Sequence, residues 1–70
     1  MSIFRERLRL CRAQSGKTQQ EVAKETSISY STYRRYERQG GTEPTLSDAA
    51  RLADFFGVSL DYLAGRTDQP

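Results

Sequence analysis

Thr18-Gln19-Gln20-Glu21-Val22-Ala23-Lys24-Glu25-Thr26-Ser27-Ile28-Ser29-Tyr30-Ser31-Thr32-Tyr33-Arg34-Arg35-Tyr36-Glu37-Arg38 is the stretch on which the fold turns. Thr18 with Glu21 three residues later is a capping box, in which the hydroxyl takes an orphan N–H and the carboxylate reaches back to the cap amide. A helix is therefore predicted over about Gln19 to Glu25, with Val22 and Ala23 facing inward and the small Ala23 allowing a second helix to cross closely. In Thr26-Ser27-Ile28-Ser29, three hydroxyl residues compete with helical hydrogen bonding and one apolar residue can plug a corner, which is a tight turn. Ser29 caps a further helix, about Tyr30 to Arg38. Tyr33 and Tyr36 share one of its faces, Tyr30, Ser31, Arg34, Arg35 and Arg38 lie largely on the others, and Gly40-Gly41 is expected to stop it.

Upstream, Phe4, Leu8 and Cys11 follow the i, i+4, i+7 spacing of a half-buried helix over Ile3 to Ser15, with Ser2 as its cap and Gly16 as its end. Downstream, Thr45 with Asp48 opens a helix whose Leu46, Ala49, Leu52, Ala53 and Phe56 form an apolar stripe ended by Gly57. Val58 packs down after that stop, Ser59 caps a short fifth helix holding Leu60 and Leu63, and Gly65 ends it. The expected organisation is one domain over residues 1–65 and a polar tail over 66–70, all-α and without strands. Its second and third helices, about four residues apart and each too short to stand alone, favour a steep crossing, which is helix-turn-helix geometry.

The chain has 70 residues, 11 Lys or Arg, 9 Asp or Glu, one Cys and no His. With no His and one Cys it cannot assemble a common zinc site, a Ser-His-Asp triad or a disulfide framework. A domain this small is not expected to hold a deep cleft, so no enzyme, cofactor or small-molecule ligand is expected. No secretory or membrane-spanning segment is visible and a lone Cys fits a reducing compartment, so the expected location is the cytoplasm. Charge is uneven: residues 1–40 carry Arg5, Arg7, Arg9, Arg12, Lys17, Lys24, Arg34, Arg35 and Arg38 against Glu6, Glu21, Glu25 and Glu37, while residues 41–70 are net acidic. A basic half points to a polyanion surface, and equally to a solvated face that keeps a domain soluble.

The order Thr18-Gln19-Gln20-Glu21-Val22-Ala23, Ile28-Ser29, Arg35-Tyr36-Glu37, Pro44-Thr45-Leu46, Leu52-Ala53 and Gly57-Val58-Ser59-Leu60-Asp61-Tyr62-Leu63 resembles the phage Cro and C1-type repressor helix-turn-helix family, also called XRE-like. The likeness covers about residues 3–65. It implies a compact five-helix, lambda-repressor-like DNA-binding domain whose third helix enters the major groove of double-stranded DNA while the second lies across the backbone. Carried over by position, the base-reading residues fall on Tyr30, Ser31 and Arg35, with Thr32 and Arg34 close by. Phosphate contacts fall on Lys17, Thr18, Gln19 and Arg38 and on Gly41 and Thr42 of the following loop. The plainer readings are helix capping for Thr18, a helix stop for the glycines, and phosphate contact or solvation for Arg34 and Arg35. Arg12 and Glu37 fall where relatives join the first helix to the third by an ion pair. Pro44, Leu46, Leu60 and Tyr62 fall on a two-fold contact, which implies a weak homodimer on a palindromic operator.

The chain departs from the family pattern in several places. Ser27 stands where relatives have Gly at positive φ, at a cost on the order of 1 kcal/mol. Thr26 and Tyr33 replace aliphatic residues, and Lys17 replaces a common Leu. Cys11 takes a Leu position as a small buried hydrophobe, while Leu10 and Phe55 fall off the expected inner faces. The resulting expectation is a transcription regulator, a repressor, associated with the nucleoid. The competing expectation is a protein-interaction module or antitoxin component built on the same fold.

Overall fold

The computed structural model describes residues 3–70 and contains five helices: α1 Ile3–Ser15, α2 Gln19–Thr26, α3 Tyr30–Glu37, α4 Leu46–Phe56 and α5 Leu60–Ala64. Ser2, the expected cap of α1, lies outside the described residues. α1 packs on α3, α4 and α5, α2 on α3 and α4, and α4 on α5. The five largest fully buried side chains are Leu8, Val22, Tyr33, Leu52 and Leu63, one from each helix. Phe4, Cys11, Ala23, Ile28, Tyr36 and Ala53 complete the core, with Phe4 edge-on to Tyr36. Cys11 is thus a buried small hydrophobe whose thiol burial pushes above its ordinary value. Leu10 is exposed as expected, but Phe55 is half-buried, edge-on to Phe56 and packed against the core. Among the described residues no helix is long and apolar enough to cross a membrane.

Local chemistry sets the helix ends. Thr18, Ser29, Thr45 and Ser59 each accept the amide three residues on, and at Thr18 the carboxylate of Glu21 returns the bond, closing the capping box. α2 runs one residue further than expected. The Thr26 hydroxyl, instead of breaking the helix, is buried and donates back to the carbonyls of Val22 (2.7 Å) and Ala23 (3.3 Å), so it is satisfied inside the last turn. α3 in turn stops one residue earlier. Arg38 is already extended (φ −77°, ψ 139°), so the glycines do not cap the helix and instead form the turn beyond it.

Two tethers were not evident from spacing. The Tyr36 hydroxyl donates to the Asp48 carboxylate (2.6 Å), tying α3 to the start of α4. Arg7 on α1 donates to the carbonyls of Tyr62 (2.7 Å) and Thr67 and to the Asp68 carboxylate (2.9 Å), and its guanidinium lies 4.3 Å from the centre of the Tyr62 ring. The polar residues that follow α5 are therefore folded back onto α1.

Three helices end in the same way, with a left-handed residue whose amide and that of its successor satisfy the last carbonyls: Ser27 with Ile28, Gly57 with Val58 and Gly65 with Arg66. Ser27, at φ 61°, is the non-glycine among them. It carries the steric cost of a Cβ in that conformation, and the buried Ile28 next to it plugs the corner between α2 and α3. Ser27→Gly is expected to raise stability by about 0.5–1 kcal/mol, less than the full steric cost because glycine also loses more freedom on folding. Urea denaturation with an unchanged m-value checks this, and a loss of stability would show that the serine is not strained.

Candidate nucleic-acid interface

α3 has two chemically different sides. Successive residues turn by 100°, so Tyr33, Tyr36 and Glu37 fall together and are buried, while Ser31, Arg34, Arg35 and Arg38 fall opposite and are exposed. Gln19, in the first turn of α2, lies beside that outer side, and a shallow depression is lined by Gln19, Ser31, Arg34, Arg35, Glu37 and Arg38. Among the described residues, Arg35 and Arg38 have no ion pair. Arg34 lies over the half-exposed ring of Tyr30, 5.4 Å from its centre. Thr32 is half-buried and tied to the cap, its amide donating to the Ser29 hydroxyl, which in turn donates to Oγ1 of Thr32 (2.8 Å).

The depression has an acid at its floor. The Glu37 side chain is 2% exposed, and Arg12 grips it through Nε to Oε2 (2.7 Å) and Nη2 to Oε1 (3.0 Å). Gln19 Nε2 also donates to Oε1 (3.2 Å), and the Tyr33 hydroxyl donates to Oε2. Arg5 Nε donates to the Glu37 backbone carbonyl (2.9 Å), closing the end of α3 with a cation where the helix dipole favours one. The Arg12–Glu37 pair expected from the sequence is therefore present and largely buried. Burial alone would push the Glu37 carboxyl up, but the hydrogen bonds from Arg12, Tyr33 and Gln19 outweigh it and hold the carboxyl below its ordinary value. Burial, and then donation to Glu37, push the Tyr33 hydroxyl up.

The residues expected at the phosphate backbone fall in different settings. Thr18 caps α2. Gln19 is half-buried, and its amide is oriented by Glu37. Lys17 is not turned outward alone. Its ammonium meets Glu25 at 3.1 Å, a surface pair that contributes less than about 1 kcal/mol and is readily exchanged. Arg38 and Thr42 are exposed and, with Arg5, Gly40 and Gly41, border a second depression. Gly41 is a correction to the expectation of an amide open to phosphate. Its N–H donates to the Arg38 carbonyl (2.9 Å), and a Cβ there would stand 1.9 Å from the Arg35 carbonyl oxygen, so the glycine is required for the close return of the loop. Of the residues expected at a two-fold contact, Leu46 and Leu60 are exposed and Pro44 is half-buried, whereas the Tyr62 ring lies under Arg7.

A helix-turn-helix family model matches residues 8–63. The cryptic phage CTXphi transcriptional repressor RstR of Vibrio cholerae is 39% identical over 63 residues, covering 90% of this chain and 55% of that protein. The SPbeta prophage-derived uncharacterized HTH-type transcriptional regulator YonR of Bacillus subtilis is 39% identical over 61 residues, covering 87% and 56%. YobD, an uncharacterized HTH-type transcriptional regulator of Bacillus subtilis, is 34% identical over 68 residues, covering 97% and 60%. The chain thus spans little more than half the length of these curated relatives. No solved structure gives a significant match.

Removing one partner of a largely buried pair strands the other. Arg12→Ala is expected to cost about 3 kcal/mol at neutral pH, the low end for buried pairs because Arg12 keeps a quarter of its side chain in water. The folded carboxyl is depressed, so its contribution is present above the ordinary value of 4.5 and is lost as pH falls through the folded value. The gap between wild type and Arg12→Ala, read by denaturant titration, should shrink progressively below pH 4.5. A gap independent of pH would mean that the ionised carboxylate is not what Arg12 stabilises.

Proposed function

The chain belongs to the Cro/C1-type helix-turn-helix family, and on that premise we propose that it is a sequence-specific double-stranded DNA-binding transcription regulator, acting as a repressor in the cytoplasm on nucleoid or phage DNA. The observation that carries this reading is the outer side of α3, where Ser31, Arg34, Arg35 and Arg38 stand exposed beside the first turn of α2. α3 enters the major groove and α2 crosses the backbone. Arg35 has the planar fork that matches O6 and N7 of guanine, Ser31 bonds several base edges, and Tyr30, Thr32 and Arg34 extend the reading surface. Gln19, Lys17 and Thr18 at the start of α2, with Arg38 and Thr42 after α3, hold the phosphates on either side, assisted by the partial positive charge of the α2 N-terminus.

One such domain reads only a few base pairs, and a second copy on a palindromic site extends the reading. Pro44, Leu46 and Leu60 supply the two-fold contact. Leu46, 74% exposed, is the most exposed large apolar side chain among the described residues.

Binding of random duplex DNA across a salt series tests the polyanion reading. The logarithm of affinity should fall against the logarithm of salt with a slope of about −0.9 per phosphate neutralised, and Arg38→Ala should make the slope shallower by about one. Absence of salt-dependent binding at low ionic strength would end this reading. On a site selected from a random library, Arg35→Ala should lose discrimination at one base pair and Gln19→Ala should weaken all sequences alike. Uniform losses from both would reduce Arg35 to a phosphate contact. For the dimer, Leu46→Glu should weaken binding to a palindrome while leaving affinity for a single half-site unchanged. Equal affinity of wild type and variant on the palindrome would remove Leu46 from the contact.

A further inference from the structure

The three arginines on the outer side of α3 are not equivalent. A helical side chain leans toward the N-terminus of its helix and meets the residue four positions before it. For Arg35 that residue is Ser31, which offers no ring, and Arg38 is already extended past the end of the helix. For Arg34 it is Tyr30, and the guanidinium carbon lies 5.4 Å from the ring centre, within range of a cation–π contact. Both side chains are exposed, so nothing in the core demands the contact.

From this we infer that Tyr30 is a positioning residue for specificity: its ring holds the guanidinium of Arg34 toward the first turn of α3, where it reads a guanine through a two-pronged hydrogen bond. The inference rests on the reading of α3 as the recognition helix, and three considerations carry it. First, the ring takes up the cation's charge without consuming its donors, and among the described residues no oxygen accepts from the Arg34 N–H groups, so the fork stays available for guanine O6 and N7. Second, Arg34 stands in the last turn of α3 but its guanidinium reaches back to Tyr30, the first residue of that helix, and so toward the end at which a recognition helix meets base edges. Third, a side chain held near its bound orientation loses less freedom on binding, and being held it is less able to swing to another acceptor when the guanine is replaced, so the mismatch is not relieved.

The experiment uses the whole chain. A site is first selected from a random duplex library with wild type. Affinities for that site and for each of its single base-pair substitutions are then measured at one salt concentration for wild type, Arg34→Ala, Tyr30→Leu and Tyr30→Phe, with circular dichroism confirming that each variant is helical. Arg34→Ala is expected to lose roughly tenfold discrimination or more at one G·C pair. Tyr30→Leu should lower discrimination at that same pair by about two- to fivefold, the effect of an exposed cation–π contact, and Tyr30→Phe, which keeps the ring, should restore it. Three results would each overturn the inference: a uniform loss from Arg34→Ala, an effect of Tyr30→Leu at a different pair, or failure of Tyr30→Phe to restore discrimination. The last would mean that the hydroxyl itself makes the contact. A wild-type selection that enriches no site is a separate outcome, which removes the DNA-reading proposal and this inference with it.

Discussion

A carboxylate taken out of water inside a domain of 70 residues must be matched donor for donor, and the Glu37 site meets that demand with groups from three helices. Arg12 comes from α1, Gln19 from α2, and Tyr33 and Glu37 itself from α3. Arg5, again from α1, takes the backbone carbonyl of the same residue. α2 and α3 have eight residues each and no independent stability, so their mutual angle is fixed by what they share. Val22 and Tyr33 supply the apolar part and the Glu37 cluster the directional part. The cluster also keeps an acidic residue on α3 from offsetting the three arginines on the opposite side, because its charge is answered from behind by Arg12.

The basic half of the sequence therefore divides in two once it is folded. Arg5, Arg7 and Arg12 on α1 are turned to structural work, closing α3, holding the residues after α5, and gripping Glu37. The cations on the outer side of α3 face solvent, as do Arg9 and Lys24 elsewhere on the surface. Counting charges along the chain could not separate these groups. Arg12 and Arg35 are equally basic, and only the fold shows that one lies against a buried acid.

What the sequence made legible was whatever is local. The capping hydroxyls of Thr18, Ser29, Thr45 and Ser59, the stops at Gly16, Gly57 and Gly65, and the inward periodicity of Phe4, Leu8 and Cys11 each act within a few residues. The elements they predict match the observed ones to within one residue at the ends of α2 and α3. The left-handed Ser27 and the Arg12–Glu37 pair were reached through the family likeness. Less was legible where long side chains meet across the fold. Tyr36 with Asp48, Arg7 with Asp68, and Lys17 with Glu25 leave no periodic trace, because a flexible side chain can reach many partners and spacing does not choose among them. Gly41 misled for a related reason: its lack of a side chain looked like an exposed amide, while the folded loop needs the missing Cβ to pass the Arg35 carbonyl.

The centre of the molecule takes one large side chain from every helix, so no pair of helices possesses a nucleus of its own. Cutting α2 and α3 out as a peptide would expose Val22, Tyr33 and Tyr36 together and would leave Glu37 without Arg12. The helix-turn-helix pair is thus not a transplantable cassette. Moving the outer side of α3 to another protein means exchanging its outward residues on an intact five-helix body, while the inward ones stay with the host.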